Sequence, residues 1–312
     1  MRQWYSHRVK PITLVAVLVM VLGAGATLYY HYPPFRLGWL VVRGKSPHCP
    51  LPNAVQAAEH LARNIAAKDR ILAGSRKLET DPQGYVLWDT PRGQWWIAEG
   101  NDWGLPWNLA EQELKIYGTG GRFVQPGDIV LDCGAHIGVF AREALEAGAR
   151  LVVAIEPSPE NVECLRRNMR EPIAAGRLIV YPKGVWDKDD VLTLELTPRN
   201  AAAASFVIHQ EGAKTGPQVP LTPIDTLVGE LNLPRVDFIK MDIEGAEQKA
   251  LVGARGTLAK FHPRMALSTY HRPDDPERIP QLVREAWSGY RMECGHCAEA
   301  NGAIRPDVLF FY

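Results

Sequence analysis

The segment 128–138, with the sequence DIVLDCGAHIG, constrains the fold of this chain more than any other feature. A short apolar run ends at Asp132, and glycines follow at positions 134 and 138. Gly134 allows the backbone to turn sharply off a strand and allows a ligand to approach closely. This pattern predicts a strand, a tight turn and a helix, with a binding site at the carboxyl end of the strand.

Further apolar runs follow at regular intervals and alternate with amphipathic stretches. They cover residues 129–132, 151–156, 178–182, 238–242, 266–270 and 306–312. Short strands that are apolar on both faces and separated by helices indicate a parallel sheet covered on both sides. We therefore predict an α/β Rossmann-like domain with a mostly parallel, doubly wound sheet over residues 110–312.

The N-terminal residues predict a membrane anchor. Residues 12–30 carry no charge, and as a helix they would extend about 28 Å, close to the hydrocarbon thickness of a bilayer. A cleaved signal peptide is the alternative, because Ala24-Gly25-Ala26 resembles a cleavage site. We predict an anchor over residues 1–35, followed by a linker and a small α+β segment over residues 36–109.

The segment before the predicted sheet is rich in aromatic residues. Asn53 is suited to cap a helix through about Arg70, and two strands are predicted at 85–89 and 94–98. Five of the nine tryptophans fall within twenty residues of this segment, namely Trp88, Trp95, Trp96, Trp103 and Trp107. Such side chains either form a lid that stacks on a sugar or an apolar acceptor, or form the core of a small subdomain. Our hypothesis is that this segment selects the acceptor.

Charge and cysteine content exclude some classes of function. Lys plus Arg equals Asp plus Glu at 35 each, so the chain lacks the basic field typical of nucleic-acid binding. The five cysteines are odd in number and irregularly spaced, which favours reduced thiols in the cytosol over a disulfide framework. A zinc site at Cys294 and Cys297 would need two further ligands, so we interpret this pair as incidental and predict no metal site.

The spacing of the glycines favours one class of cofactor. A dinucleotide site has the pattern G-x-G-x-x-G, whereas this chain has His136 in place of the second glycine. Asp132 would repel a pyrophosphate but accept a hydrogen bond from an ammonium group, which S-adenosylmethionine carries. Glu156 ends the second strand and is suited to bind two ribose hydroxyls. The alternative is that Asp132 caps a helix and Glu156 lies in a solvated loop.

Four ordered motifs carry a family resemblance. Residues 127–140 (GDIVLDCGAHIGVF), 154–168, 223–227 and 237–254 resemble the FkbM family of methyltransferases. The resemblance implies a class I methyltransferase fold, S-adenosylmethionine as cofactor and O-methyl transfer to a sugar, a polyketide or another small metabolite. It also implies a cofactor site that consists of Asp132, Gly134, Ala135, His136, Gly138, Glu156, Pro157, Trp186 and Asp242.

The end of the fourth strand supplies candidate catalytic residues. Strand alternation places Lys240 and Asp242 on one side, and Asp242 faces the same crevice as Asp132. Asp242 would orient the acceptor, act as a base or bind a metal together with Glu244. Glu247 is better explained as a carboxylate in the first turn of the following helix.

His271 follows the fifth strand and is the third candidate catalytic residue, with Asp242 and Lys240. A histidine at this edge is suited to act as a general base near neutral pH. The alternative is a surface histidine, because FkbM relatives tend to carry an acidic residue before it, where this chain has Ser268 and Thr269.

We therefore expect an S-adenosylmethionine-dependent O-methyltransferase of a small metabolite, a sugar or a lipid-linked glycan at the membrane surface. Because the cofactor is made in the cytoplasm, the catalytic domain is expected to face that side. A catalytically inactive, membrane-tethered binding module and a nucleotide-dependent oxidoreductase are the alternatives.

Overall fold

The computed structural model describes residues 11–196, 204–208, 212, 214–300 and 302–312. The helices are α1 Pro11–His31, α2 Pro33–Val42, α3 Leu51–Ala73, α4 Gly104–Glu113, α5 Val139–Glu146, α6 Pro159–Asn168, α7 Arg170–Ala174, α8 Ile224–Glu230, α9 Glu247–Val252, α10 Arg255–Phe261 and α11 Asp275–Ala286, with a 3-10 turn at Gly120–Arg122. The strands are β1 Arg76–Thr80, β2 Tyr85–Thr90, β3 Gly93–Ala98, β4 Ile129–Cys133, β5 Leu151–Ile155, β6 Leu178–Tyr181, β7 Gly184–Val185, β8 Asp190–Leu196, β9 Lys214–Thr222, β10 Phe238–Met241, β11 Arg264–Ser268, β12 Met292–Cys294, β13 Cys297–Ala300, β14 Ala303–Pro306 and β15 Val308–Phe311.

A seven-stranded sheet forms the centre of the fold, in the order β12-β15-β11-β10-β4-β5-β6. The five strands from β11 to β6 are parallel to their neighbours, and β15 runs antiparallel between β11 and β12. The mostly parallel sheet predicted from the sequence is therefore confirmed. The carboxyl ends of β4, β5, β10 and β11 meet at one edge, where a ligand site is expected.

The two faces of the sheet are covered by separate hydrophobic cores. In β4, Ile129 and Leu131 pack against one core, whereas Val130 packs against the other together with Phe140 of α5. This alternation follows from the two-residue period of a strand. Because β4 and β10 are buried along their whole length, polar side chains on them must find partners inside the protein.

The aromatic segment docks on this sheet domain. Strands β1, β2 and β3 form an antiparallel sheet, and Trp95 and Ile97 of β3 share a core with Leu109 of α4 and with Ile137 and Val139 near α5. The predicted strands at 85–89 and 94–98 are observed as β2 and β3. The boundary between this segment and the domain at 110–312 stays a prediction.

The described N-terminal residues form two helices, and α2 spans the boundary at residue 35 between the predicted anchor and the predicted linker. Within the described part of the chain, no helix combines the length and the apolar character needed to cross a bilayer. The predicted transmembrane helix is therefore not supported by the structure. Asn53 does not cap α3, which begins at Leu51 after Pro50, and its side-chain amide instead donates to the Gly295 carbonyl oxygen at 2.6 Å.

The expectation that all cysteines are free thiols is wrong in the structure. Cys49, which precedes α3, forms a disulfide with Cys297 of β13 across 248 residues of sequence. Cys294 lies beside the bond, with its Sγ 3.6 Å from that of Cys297. Spacing along the chain gave no signal for this pairing, because it depends on how α2 and α3 pack against the β13–β14 hairpin, where Leu37 and Ile304 share a core.

Candidate functional site

The turn after β4 is closed by a tight backbone contact. Gly134 has φ +78°, and a Cβ at this position would lie 1.9 Å from the carbonyl oxygen of Asp242. Gly138 has φ +96°, and a Cβ there would lie 2.7 Å from a methyl group of Leu165. Both glycines of the motif are therefore required by backbone geometry as well as by space.

Asp132 and Lys240 are cross-strand neighbours in the register of β4 and β10. The Lys240 Nζ lies 3.3 Å from Asp132 Oδ1 and donates a hydrogen bond of 2.8 Å to the Gly134 carbonyl oxygen. The Asp132 contact is an ion pair without hydrogen-bond alignment, and neither Asp132 oxygen has a hydrogen-bond partner among the described residues. Asp132 is fully buried and holds Lys240 beneath the turn; a direct contact between Asp132 and a cofactor stays a prediction.

Burial and the neighbouring charges shift the pKa values of Asp132 and Lys240 in opposite directions. Burial raises the pKa of Asp132, and the nearby Lys240 ammonium only partly offsets this. Burial would lower the pKa of Lys240, but the carboxylates of Asp132 and Asp242 outweigh it and raise that pKa. Lys240 is therefore a fixed cation under the turn rather than a group that exchanges its proton near neutral pH.

Glu156 lies directly after β5 and is held in place by three donors. Its carboxylate accepts hydrogen bonds from the His136 amide at 2.8 Å, the Ser158 amide at 3.0 Å and the Asn161 side chain at 3.1 Å. These bonds tie the turn after β4 to the start of α6. The alternative that Glu156 lies in a solvated loop is excluded, because its side chain is buried.

Two adjoining cavities open at the carboxyl edge of the sheet and share Gly134, His136, Asp242 and Glu244. The larger has a volume of about 420 Å³, and its wall includes Ala135 and Lys240. The smaller, of about 50 Å³, is lined by Glu156, Pro157 and Val185. Most of the predicted site residues thus line one or both of these adjoining cavities.

Three predicted cofactor residues lie outside the walls of these cavities: Asp132, which is buried beneath the turn, Gly138 and Trp186. Gly138 supports the turn through its contact with Leu165. Trp186 follows β7, and its ring packs near the Lys249 ammonium at 5.6 Å, while Gly184 and Val185 line the smaller cavity. A contact between Trp186 and a cofactor stays a prediction.

His271 is the centre of a buried polar cluster. Its side chain is 3% exposed, and its Nδ1 lies 2.9 Å from Glu247 Oε1. Its Nε2 lies 3.5 Å from both Asp242 Oδ1 and Glu244 Oε2. The alternative of a surface histidine is therefore excluded, and Glu247 both begins α9 and positions His271.

The charges in this cluster change the proton affinity of its members. Burial would lower the pKa of His271, but the carboxylates of Glu247 and Glu244 raise it well above its ordinary value. Burial would raise the pKa of Asp242, but His271 and Lys240 more than offset this and lower it. Burial raises the pKa of Glu244. In this arrangement Asp242 is the carboxylate that is held ionised at neutral pH.

Two residues of the site were missed in the sequence. Tyr117 donates a hydrogen bond of 2.6 Å from its hydroxyl to Asp242 Oδ2. Glu111 of α4 lines the larger cavity, and burial together with Asp242 and Asp307 raises its pKa to about 8. Neither residue belongs to a motif, because both reach the site only through the docking of α4 beside α5.

Of the five tryptophans, two line the larger cavity, whereas Trp95 and, in part, Trp88 belong to the core of the aromatic segment. Trp103 and Trp107 line the larger cavity, and their ring centroids lie 6.0 Å apart. Trp95 is a core residue that is 2% exposed, with the Arg142 guanidinium over its ring. Tyr270 adds a further ring to the wall of the larger cavity.

The family profile that matches this chain and the relatives that it resembles all describe methyltransferases. The sequence profile described as "Methyltransferase FkbM domain" matches residues 132–292, which is slightly more than half of the chain. The hexuronic acid methyltransferase AglP of Haloferax volcanii is 26% identical over 159 residues, covering 51% of this chain and 62% of that protein. The 31-O-demethyl-FK506 methyltransferase FkbM of Streptomyces tacrolimicus is 25% identical over 166 residues, covering 45% of this chain and 64% of that protein.

Among solved structures, a methyltransferase FkbM from Methylobacillus flagellatus KT matches 82% of this chain and 60% of that chain, with 20% identity and a TM-score of 0.47. The chain spans less than two thirds of the length of AglP and of the Streptomyces FkbM, the two curated relatives. The fold is of the mixed α/β methyltransferase type, and the profile match covers the turn after β4, Glu156, Asp242 and His271. The chain belongs to the FkbM methyltransferase family.

Proposed function

We propose that this chain transfers a methyl group from S-adenosylmethionine to an oxygen of a small metabolite, a sugar or a glycan. One observation carries the proposal: Glu156, suited to a ribose, lines the smaller cavity, and Asp242, suited to an acceptor and 3.5 Å from His271 Nε2, lines both cavities, which share the turn at Gly134. A nucleotide-dependent oxidoreductase is disfavoured, because the family is one of methyltransferases.

S-adenosylmethionine is the cofactor expected for this family. The donor set fits it, because a buried carboxylate at Glu156 is suited to hydroxyl groups, and Ile155, Val185 and Ala246 offer apolar walls beside it. When bound, the cofactor supplies a methyl group that is already activated on a sulfonium. The residues of the chain then mainly align the acceptor and receive its proton.

Asp242 is the residue that we assign to the acceptor. Asp242 lines both cavities; its Oδ2 accepts a hydrogen bond from Tyr117, and its Oδ1, 3.5 Å from His271 Nε2, has no hydrogen-bond partner in the described parts of the chain. An ionised carboxylate with a free oxygen is suited to orient an acceptor hydroxyl and to receive its proton. Lys240 acts as a positioning residue, because its Nζ is occupied by Asp132 and the Gly134 carbonyl oxygen.

A sugar or another flat acceptor is favoured by the wall of the larger cavity. Trp103, Trp107 and Tyr270 present aromatic surface, and Asn108 and Gln112 add hydrogen-bonding groups beside it. Such a mixture of aromatic faces and amides is typical of sites that bind sugars or polar ring systems. The name of one relative, 31-O-demethyl-FK506 methyltransferase, supports oxygen as the atom that is methylated, and the name of the other, hexuronic acid methyltransferase, supports a sugar acid as a class of acceptor.

Calorimetric binding of S-adenosylmethionine to the full chain tests the proposal. We expect one binding site per chain, and we expect Glu156→Gln to weaken binding at least tenfold because the amide offers fewer acceptor positions. Glu160→Gln is the matched control. Glu160 is an exposed residue in the first turn of α6, four residues after Glu156, and this variant should bind S-adenosylmethionine as the wild type does.

Methyl transfer is then measured with hexuronic acids and neutral sugars as acceptors, with S-adenosylhomocysteine as the detected product. Binding without turnover of any acceptor would favour the alternative of an inactive binding module. A folded wild-type chain that does not bind S-adenosylmethionine would refute the proposal. The location of the protein stays a prediction: a cytoplasmic site is proposed because the cofactor is made there.

A further inference from the structure

In the cluster around His271, ligand atoms of three side chains converge on one point, which methyl transfer alone does not require. Asp242 follows β10, Glu244 lies two residues later, and His271 follows β11. One ligand atom from each of these three side chains lies within 4.8 Å of the other two. Glu244 adopts φ +53°, a backbone conformation that costs energy in a residue other than glycine and that brings its carboxylate to this point.

The hydrogen bond on the far side of the ring fixes which nitrogen faces the cluster. Glu247 is fully buried, and its Oε1 lies 2.9 Å from His271 Nδ1, so the proton of a neutral ring is on Nδ1. The other nitrogen, Nε2, then lies 3.5 Å from both Asp242 Oδ1 and Glu244 Oε2, and an ion bound between these atoms would take the place of a proton on Nε2. Histidines that bind metals are oriented in this way, by a carboxylate on the nitrogen that does not bind the ion.

The distances from His271 Nε2 to the two carboxylate oxygens are closer to those expected around a shared ion than to those of direct hydrogen bonds. His271 Nε2 lies 3.5 Å from each carboxylate oxygen, whereas a charge-assisted hydrogen bond spans about 2.7–2.9 Å. Two ligand atoms that each lie about 2.1 Å from one ion, at tetrahedral or octahedral angles, are roughly 3.0–3.4 Å apart. Within the described residues, His271 Nε2 and Asp242 Oδ1 are both buried without a hydrogen-bond partner.

We propose that Asp242, Glu244 and His271 form a binding site for one divalent transition-metal ion, with Glu247 as the residue that positions His271. Two carboxylates and one imidazole favour Mn²⁺ or Zn²⁺ over Ca²⁺ and Mg²⁺, which prefer oxygen ligands throughout. Three protein ligands leave coordination positions open, and Asp242 and Glu244 both line the cavity of about 420 Å³.

The open coordination positions of the proposed ion indicate a class of acceptor. This step rests on the proposed function, which makes the larger cavity the acceptor site. An ion there binds an acceptor through two neighbouring oxygens, either adjacent hydroxyls or a hydroxyl beside a carboxylate. Such binding lowers the pKa of a bound hydroxyl and fixes its direction toward the methyl donor.

The test is binding of Mn²⁺ to the metal-stripped full chain, followed by electron paramagnetic resonance and by calorimetry. We expect one ion per chain, displaced by Zn²⁺, and at least tenfold weaker binding in both His271→Gln and Glu244→Gln. His48→Gln is the matched control, because His48 also lies beside a carboxylate, 3.4 Å from Glu277, but away from the cavities. This variant should bind Mn²⁺ as the wild type.

S-adenosylmethionine binding is measured on the same samples and separates the two proposals. A stripped wild-type chain that binds S-adenosylmethionine but no Mn²⁺ or Zn²⁺ would overturn the metal site and leave the proposed function intact. Equal Mn²⁺ binding by the wild type, His271→Gln and Glu244→Gln would also overturn it. Mn²⁺ binding without S-adenosylmethionine binding would support the metal site while refuting the proposed function.

Discussion

At the scale of single residues, Gly134 controls the geometry of the site. Gly134→Ala places a Cβ 1.9 Å from the backbone oxygen of Asp242 and forces an alanine to adopt φ +78°. We expect the free energy of unfolding to fall by about 2–4 kcal/mol, since both the backbone strain and the displaced chain cost energy. Chemical denaturation measures the change.

Gly127→Ala is the matched control for this substitution. Gly127 has φ +90°, but a Cβ there would meet nothing within 4 Å, so this variant isolates the cost of the backbone conformation. We expect a loss of about 1 kcal/mol. If the two variants lose the same free energy, the contact with Asp242 does not constrain the turn.

Glu111 gives a second prediction at this scale. Burial, Asp242 and Asp307 raise its pKa to about 8, against the opposing effects of Lys240 and Asn108. A raised folded-state pKa stabilises the protein below the unfolded value of about 4.5, and this contribution is lost as the pH rises through 8. The melting temperature of the wild type should therefore fall, relative to that of Glu111→Gln, between pH 5 and pH 8.

Thermal melting of the ligand-free, metal-stripped protein over this pH range measures the difference. Glu113→Gln, near the end of the same helix and paired with Arg70, is the control for loss of a carboxylate from α4. A constant difference between the wild type and Glu111→Gln across the range would show that Glu111 does not titrate there.

The residues that could be predicted share one property: they lie where strands end. Asp132, Glu156, Asp242 and His271 each stand at or just after a carboxyl strand end, and parallel strands bring these ends together. Tyr117 and Glu111 could not be found in this way. They lie before the first strand of the sheet, and their place in the site depends on tertiary docking.

At the scale of elements, the sequence predicted four of the buried strands closely but misplaced the fifth. The strands at 129–132, 151–156, 178–182 and 238–242 are observed within one residue of their predicted ends. The fifth was predicted at 266–270 but is observed at Arg264–Ser268, because its pairing with the antiparallel β15 ends at Ser268 opposite Val308. The sequence contains no mark of this end, since Thr269 and Tyr270 also fit a strand.

The shift of β11 changes the role of the residues that follow it. With the strand ending at Ser268, Tyr270 and His271 lie in the loop beyond the sheet, where the Tyr270 side chain lines the cavity and the His271 side chain reaches Glu247. A strand that continued to Tyr270 would have directed these two side chains to opposite faces of the sheet. The pairing with β15 is therefore part of what forms the site.

At the scale of the whole molecule, the disulfide joins the first helices to the last strands. Cys49 and Cys297 are separated by 248 residues, and closing so long a loop restricts the unfolded chain strongly. The structure pairs these residues, whereas the proposed cytoplasmic location is a reducing compartment in which such bonds rarely persist. The stability of the protein therefore depends on where it is made.

Comparison of the oxidised and the reduced protein tests this dependence. Reduction should lower the free energy of unfolding by about 2–4 kcal/mol, because the unfolded chain regains the freedom of the loop. Cys49→Ser should have the stability of the reduced form and no longer respond to reductant. Cys294→Ser removes the neighbouring thiol but keeps the bond, so it should respond as the wild type does. If reductant changes neither the denaturation midpoint nor the thiol count, residues 49 and 297 are not joined in the purified protein, and the N-terminal helices are held to the β13–β14 hairpin by non-covalent contacts, among them the packing of Leu37 on Ile304 and the ion pair of Arg36 with Glu299.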